Sequence, residues 1–229
     1  MNFYGGTDRG LVRPTNQDSY YIDADGLWAV VADGMGGHNG GETASSMAVE
    51  IIRSVMESGG EMKTAVENAN RQIFEKSLSE PKLAGMGTTV VLCRIDNGKT
   101  ASFSHVGDSR AYLLNDGVLK QITKDHSIVQ QLIESGTITK EQAKYHPQRN
   151  LITRAVGTEK DINIDFNRVN LTPGDVILIC SDGLCAYVDE SKISEIIRTT
   201  DGDETVGKLI EAANESGGKD NVTVVLIRA

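Results

Sequence analysis

The chain has 229 residues, 39% hydrophobic and 24% charged, a length and balance that suit one globular domain with a sizeable core. Its 32 acidic and 23 basic side chains leave a formal net charge of −9, which argues against nucleic-acid or anionic-membrane partners, because both require a basic face. An acidic chain can still engage phosphate where bound cations supply the positive charge locally.

In chain order, residues 19–22 and 27–32 read as two strands around the turn Asp23-Ala24-Asp25-Gly26. Two helices follow. Ala44, Met47, Ala48, Ile51, Ile52 and Val55 recur at helical spacing, and so do Ala65, Val66, Ala69, Ile73 and Phe74. Two further hairpins are expected, 88–95 with 100–106 around Asp96-Asn97-Gly98, and 111–114 with 118–122 around Asn115-Asp116-Gly117. Short helices are expected at 128–135 and 140–145, the second with a capping box from Thr139 and Gln142. A strand at 176–180, helices at 191–198 and 204–214 and a last strand at 222–227 complete the pattern. Antiparallel strands dominate and helices come in pairs, which predicts an α+β fold of two sheets with helices outside. No repeat, low-complexity tract or Pro-rich linker divides the chain, so one domain over residues 1–229 is expected.

The longest apolar runs, such as 176–180, are strand-sized, far short of a membrane span. Residues 1–6 show no basic stretch leading into an apolar one, so no secretory leader is expected. Cys93, Cys180 and Cys185 are odd in number and form no Cys-x-x-Cys. A disulfide framework and a thiolate zinc site are not expected, and a reducing cytoplasm fits best.

Four aspartates share one setting, a glycine neighbour at the boundary of an apolar strand. They are Asp33 before Gly34, Asp108 after Gly107, Asp182 before Gly183, and Asp220 after Gly217-Gly218-Lys219. A strand end holds a carboxylate firmly, and the glycine lets backbone, water or metal approach. Asp-Gly is also a hairpin signal, and that reading is adopted for 23–26, 96–98 and 116–117. It fails for Asp33, which is followed by a glycine-rich run to Gly41 and a helix, and for Asp182, which is followed by a loop and a helix. Carboxylates with few histidines or thiolates in support select hard cations, magnesium or manganese. A pair sharing one carboxylate can generate hydroxide at neutral pH and neutralise a phosphoryl group. The run from Gly34 to Gly41 lacks the Lys-Ser/Thr ending of a nucleotide-binding loop, and the chain has no G-x-S-x-G elbow.

Seven segments in order carry a resemblance: Arg13-Pro14-Thr15-Asn16-Gln17-Asp18, Val31-Ala32-Asp33-Gly34-Met35-Gly36-Gly37-His38, Gly85-Met86-Gly87-Thr88-Thr89, His105-Val106-Gly107-Asp108-Ser109-Arg110, Thr123-Lys124-Asp125-His126-Ser127, Ser181-Asp182-Gly183-Leu184 and Gly218-Lys219-Asp220-Asn221. Together they resemble the metal-dependent protein phosphatases of the 2C type, in their compact bacterial form. The resemblance implies a four-layer α/β/β/α sandwich, two antiparallel sheets flanked by helix pairs. It implies hydrolysis of phosphoserine and phosphothreonine in proteins, a serine/threonine kinase of the same cell among the partners, and a monomer. It also implies two Mn2+ or Mg2+ ions and a third, weaker site. By motif, Asp33 would bridge two metals and Gly34 would give a carbonyl. Asp182 and Asp220 would complete the first metal, and Asp108 with Asp182 would hold the third. Arg13 would bind the substrate phosphate, Asp18 would orient metal-bound water, and residues 128–155 would form a flap beside the substrate groove. Two positions depart from the pattern: Gln17 stands where many members carry glutamate, and Met35 stands where eukaryotic members place a general-acid histidine. His38 and His126 are then the candidate proton donors, though a structural role in a loop suits each better. His105 reads as core.

Overall fold

The computed structural model describes residues 1–36 and 40–229. Eleven strands form two antiparallel sheets among these residues. The first runs β1 (Asn2–Asp8), β11 (Val222–Arg228), β10 (Val176–Cys180), β7 (Arg110–Asn115) and β8 (Val118–Gln121). The second runs β2 (Asp18–Ile22), β3 (Trp28–Met35), β5 (Val90–Asp96), β6 (Thr100–Val106) and β9 (Asp165–Asn170). The two-residue β4 (Gly87–Thr88) pairs with the end of β3.

Alternation along the strands explains the layering. On β10, Ile177 and Ile179 face the second sheet while Leu178 faces helices; on β11, Val225 and Ile227 do the former and Val224 and Leu226 the latter. Both strands are covered on both faces, so they read as continuous apolar runs. Val31, Val91 and Phe103 complete the core between the sheets. Helices α1 (Gly40–Glu57) and α2 (Met62–Ser79) place Ala48, Ile52, Val66 and Ile73 on the outer face of the second sheet. Helices α6 (Glu190–Thr199) and α7 (Gly202–Glu215) place Ile193, Ile197 and Leu209 on the first. The result is the expected four-layer α/β/β/α sandwich.

The hairpin turns follow their chemistry. Asn97 and Gly98 (φ 53° and 64°), and Asp116 and Gly117 (47° and 79°), take the left-handed pairs of type I′ turns. Three short helices complete the set: α3 (Ile128–Glu134), α4 (Lys140–Ala143), whose Thr139–Gln142 capping box is formed, and α5 (Asp182–Cys185). The sequence reading omitted β1 and β9. In β1, Gly5 and Gly6 interrupt the apolar pattern because the strand is squeezed from both sides: a Cβ on Gly5 would lie 2.7 Å from the Tyr20 ring, and one on Gly6 2.9 Å from Val206. β9 is an edge strand whose Phe166 points outward, so its apolar residues never align on one buried face. No helix of the described residues is long and apolar enough to cross a membrane.

Candidate metal centre

The sheets meet at one end of the sandwich, and each delivers aspartates there. Asp18 opens β2 and lies opposite Asp33 near the end of β3. From the other sheet, Asp182 follows β10 and begins α5, and Asp220 precedes β11, the neighbour of β10. Asp108 follows β6, beyond Gly107, whose φ of 107° turns the chain where a Cβ would strike Thr89 at 2.6 Å. The structure therefore gathers Asp18, Asp33, Asp108, Asp182 and Asp220 into one group.

Close backbone packing fixes these positions. Asp33 N–H donates to Thr89 Oγ1 (3.0 Å), and the Asp33 carbonyl accepts from Thr89 N–H and Thr88 Oγ1. Gly34 N–H donates to the Gln17 carbonyl, and a Cβ on Gly34 would lie 2.0 Å from the Gly41 carbonyl. Only glycine allows β3 this close to the start of α1. Gly183 is equally confined, with a would-be Cβ 1.9 Å from the Asn221 carbonyl.

Arg13 stands at the mouth, half-exposed, and donates to Asp220 Oδ2 at 2.7 Å. Among the described residues it is the basic side chain in ion-pair contact with the group. Its loop is stitched to the turn that carries Asp220. Leu11 and Val12 N–H both donate to the Gly218 carbonyl, and the Asn221 side chain donates to the Arg9 and Thr15 carbonyls and accepts from Gln17 N–H. Asn221 is a residue the sequence reading passed over as anything but a motif letter; its place directly after Asp220 was the available signal.

The electrostatics follow from crowding. Burial first, then the charges of Asp18, Asp182, Asp108 and Asp220, hold the Asp33 carboxyl well above its ordinary range. Burial and then Asp108, Asp220 and Asp18 do the same to Asp182. Asp108 is pushed up to about 6 by burial and by Asp125, against Arg110. Asp18 is raised to about 6 by burial, opposed by hydrogen bonds from Ser181 and Thr223. Several carboxylates that repel one another, with little basic compensation, form a donor set suited to hard cations. Asp18 Oδ1 is buried and meets no hydrogen-bond donor among the described residues, while the carboxyl as a whole lies against that of Asp33.

The three His, Cys, Asp or Glu side chains whose ligand atoms come within 4.8 Å of one another among the described residues are His105, His126 and Asp165. That set is held together by protein alone. His126 Nδ1 accepts from Gly107 N–H, and Arg154 bridges His126 Nε2 (3.0 Å) and Asp165 Oδ1 (2.7 Å). Gly107 N–H faces Nδ1 and the Arg154 guanidinium faces Nε2, so both ring nitrogens are covered by N–H groups of the protein and neither is open to a metal. Burial, then His105 and Arg154, pulls the His126 pKa down to about 4, so it stands neutral and does not serve as a proton donor near neutrality. His105 is buried and donates from Nε2 to the Lys124 carbonyl. His38 lies outside the described residues.

Residues 128–155 rise beside the group. Their base is closed by Ile128 N–H to the Leu151 carbonyl, Thr153 N–H to the His126 carbonyl, and the bridge between Ser127 and Ile152. Between this segment and the 182–190 region lies a groove of about 620 Å³ that opens onto Asp108 and Asp182. Lys144 spans its edge to Asp189 at 2.7 Å.

The protein phosphatase 2C family model matches residues 11–214. The chain is 38% identical to the serine/threonine phosphatase stp of Listeria monocytogenes serotype 4b (strain F2365), over 96% of this chain and 93% of that protein. The crystal structure of the Mycobacterium tuberculosis serine/threonine phosphatase PstP/Ppp superposes with a TM-score of 0.91 at 40% identity, covering 98% of this chain and 97% of that one. The catalytic domain of PstP in complex with two manganese ions gives a TM-score of 0.89 at 38% identity, covering 98% and 96%. A family match over most of the sequence, and relatives of this identity over nearly all of it, mean that the chain belongs to the protein phosphatase 2C family.

Proposed function

We infer that the chain is a metal-dependent phosphatase that hydrolyses phosphoserine and phosphothreonine in proteins. The observation that carries this reading is the convergence of Asp18 and Asp33 from one sheet with Asp182 and Asp220 from the other, beneath Arg13. The relatives support it: one is named a serine/threonine phosphatase, and another holds two manganese ions. The donor set fits manganese or magnesium. Asp33, Asp182, Asp220 and the Gly34 carbonyl would hold the cations, and Asp108 with Asp182 would hold a further, weaker one. When bound, such cations supply activated water at neutral pH and neutralise the phosphoryl group.

The protein's own residues do the rest. Arg13 presents a guanidinium fork to the substrate phosphate at the mouth. Asp18, with its Oδ2 held by Ser181 and Thr223, would orient the attacking water. The flap of residues 128–155 borders the bound phosphoprotein. Neither hydroxyl nor thiol beside the centre is an activated nucleophile, and the aspartates would be committed to the cations. The Ser181 hydroxyl is committed to Asp18 Oδ2, and contact with Cys180 together with burial holds the Cys185 thiol well above its usual range. The phosphoryl group would then pass from the serine or threonine oxygen to water in one displacement, releasing phosphate and the free hydroxyl without a phosphoenzyme. We place the protein in the cytoplasm as a monomer, opposing a serine/threonine kinase.

The test is turnover of p-nitrophenyl phosphate and of a phosphothreonine peptide with manganese. Both activities are expected, both abolished by chelator, and Asp33→Ala should lose several orders of magnitude in kcat while remaining folded. A folded wild-type protein without manganese-dependent turnover would overturn the reading.

A further inference from the structure

Asp18 is held by a directed chain of hydrogen bonds that crosses between the sheets. Its Oδ2 accepts from Ser181 Oγ at 2.7 Å and from Thr223 Oγ1 at 2.7 Å. Thr223 has one hydroxyl proton, and the carboxylate takes it. The 2.7 Å contact between Thr7 Oγ1 and Thr223 Oγ1 must then run from Thr7 to Thr223. Thr7 Oγ1 in turn accepts from Asn16 Nδ2 at 2.8 Å, and Asn16 Oδ1 accepts from Asp18 N–H at 3.1 Å, which closes a ring. On the other side, Ser181 Oγ accepts Thr223 N–H at 2.9 Å. Every hydroxyl proton in the ring is spent in one direction, toward Oδ2.

The opposite oxygen is treated differently. Oδ1 is buried and meets no hydrogen-bond donor among the described residues, the carboxyl lying instead against that of Asp33, although folded proteins seldom leave a buried polar atom without a donor. An aspartate's terminal torsion is broad and roughly two-fold, so an unrestrained carboxylate would swing and exchange its oxygens. Two donors, from the end of β10 and from β11, stop that rotation. We propose that Ser181 and Thr223 are positioning residues, whose hydroxyls pin one oxygen of Asp18 and reserve the other for the attacking water. The proposal rests on the phosphatase reading and adds to it two residues that touch neither substrate nor metal through their hydroxyls.

The experiment compares Ser181→Ala, Thr223→Val and Thr223→Ser with wild type on p-nitrophenyl phosphate and manganese. Manganese affinity is measured separately by calorimetry, and folding by thermal melting. Loss of either hydroxyl should lower kcat ~10-fold or more, the usual effect of removing a group that orients a reacting one. KM and the manganese Kd should stay within about threefold of wild type, and Thr223→Ser, which keeps the donor, should restore kcat to within about threefold. A folded Thr223→Val enzyme with wild-type kcat would overturn the proposal. So would a fall in kcat matched by an equal loss of manganese affinity, because the hydroxyls would then serve the metal sites. Should Ser181→Ala not fold, the Thr223→Val and Thr223→Ser pair decides alone. Wild-type turnover in the same assay reports on the phosphatase reading independently.

Discussion

Arg13 donates to Asp220 Oδ2 rather than lying free on the surface. A substrate phosphate must draw the guanidinium toward itself, and it can do so because the side chain is half-exposed and lightly held. If Arg13 is the phosphate clamp, Arg13→Ala should chiefly raise KM, by about 1.5–3 kcal/mol in binding, the worth of one charged hydrogen bond. Steady-state kinetics on a phosphopeptide and on p-nitrophenyl phosphate check this; unchanged KM on both would return Arg13 to the surface. Legibility at this scale divides cleanly. Asp33, Asp108, Asp182 and Asp220 could be picked from sequence because each announces itself by a glycine at a strand boundary. Ser181 and Thr223 could not, because what they do depends on which strand lies beside which. Thr223 looks like any β-branched residue in an apolar strand until β11 is seen against Asp18.

Among elements, the helix pairs and three hairpins were legible because period and turn chemistry agree within each. β9 was not, because an edge strand with alternating polar residues carries no buried face to recognise. It supplies Asp165, and with Arg154 and His126 this residue ties the end of the flap to the strands below. That tie has a pH dependence. Burial lowers the native His126 pKa to about 4, whereas an unfolded histidine titrates near 6.5. Between those values the unfolded chain binds the extra proton, so this contribution is complete above pH 6.5 and is lost as pH falls toward 4. The crowded aspartates work in the opposite direction, since raised carboxyl pKa values favour the native state as pH falls. A comparison removes that term. From pH 7 to 4.5, urea unfolding should show wild type losing about 2 kcal/mol more than His126→Gln. Parallel pH profiles would mean that His126 is not held neutral.

For the molecule as a whole, the aspartates concentrate like charge where the two sheets meet. The cost appears as native-state destabilisation in the absence of cations, and bound metal removes it. Manganese at 100 times its Kd should stabilise the fold by about 2.7 kcal/mol. Asp33→Asn, which deletes the most crowded charge, should raise the melting temperature of the metal-free protein while shrinking the manganese-dependent gain. Calorimetric melting with and without chelator measures both. A lower metal-free melting temperature in Asp33→Asn would show that the crowding is relieved some other way.

The pairing of β1 with β11 joins residues 2–8 to residues 222–228, and Asn221 clasps the loop that bears Arg13. During synthesis, then, the first strand waits for nearly the whole sequence before it has a neighbour. Asp18 waits with it for Thr223, and Arg13 for Asp220. A chain still short of β11 already holds its helices, its second sheet and the pairing of Asp18 with Asp33, yet lacks the contacts that Thr223 and Asn221 bring to the centre. Catalytic competence thus depends on β11, and a product truncated before residue 220 should be inert rather than an unregulated phosphatase.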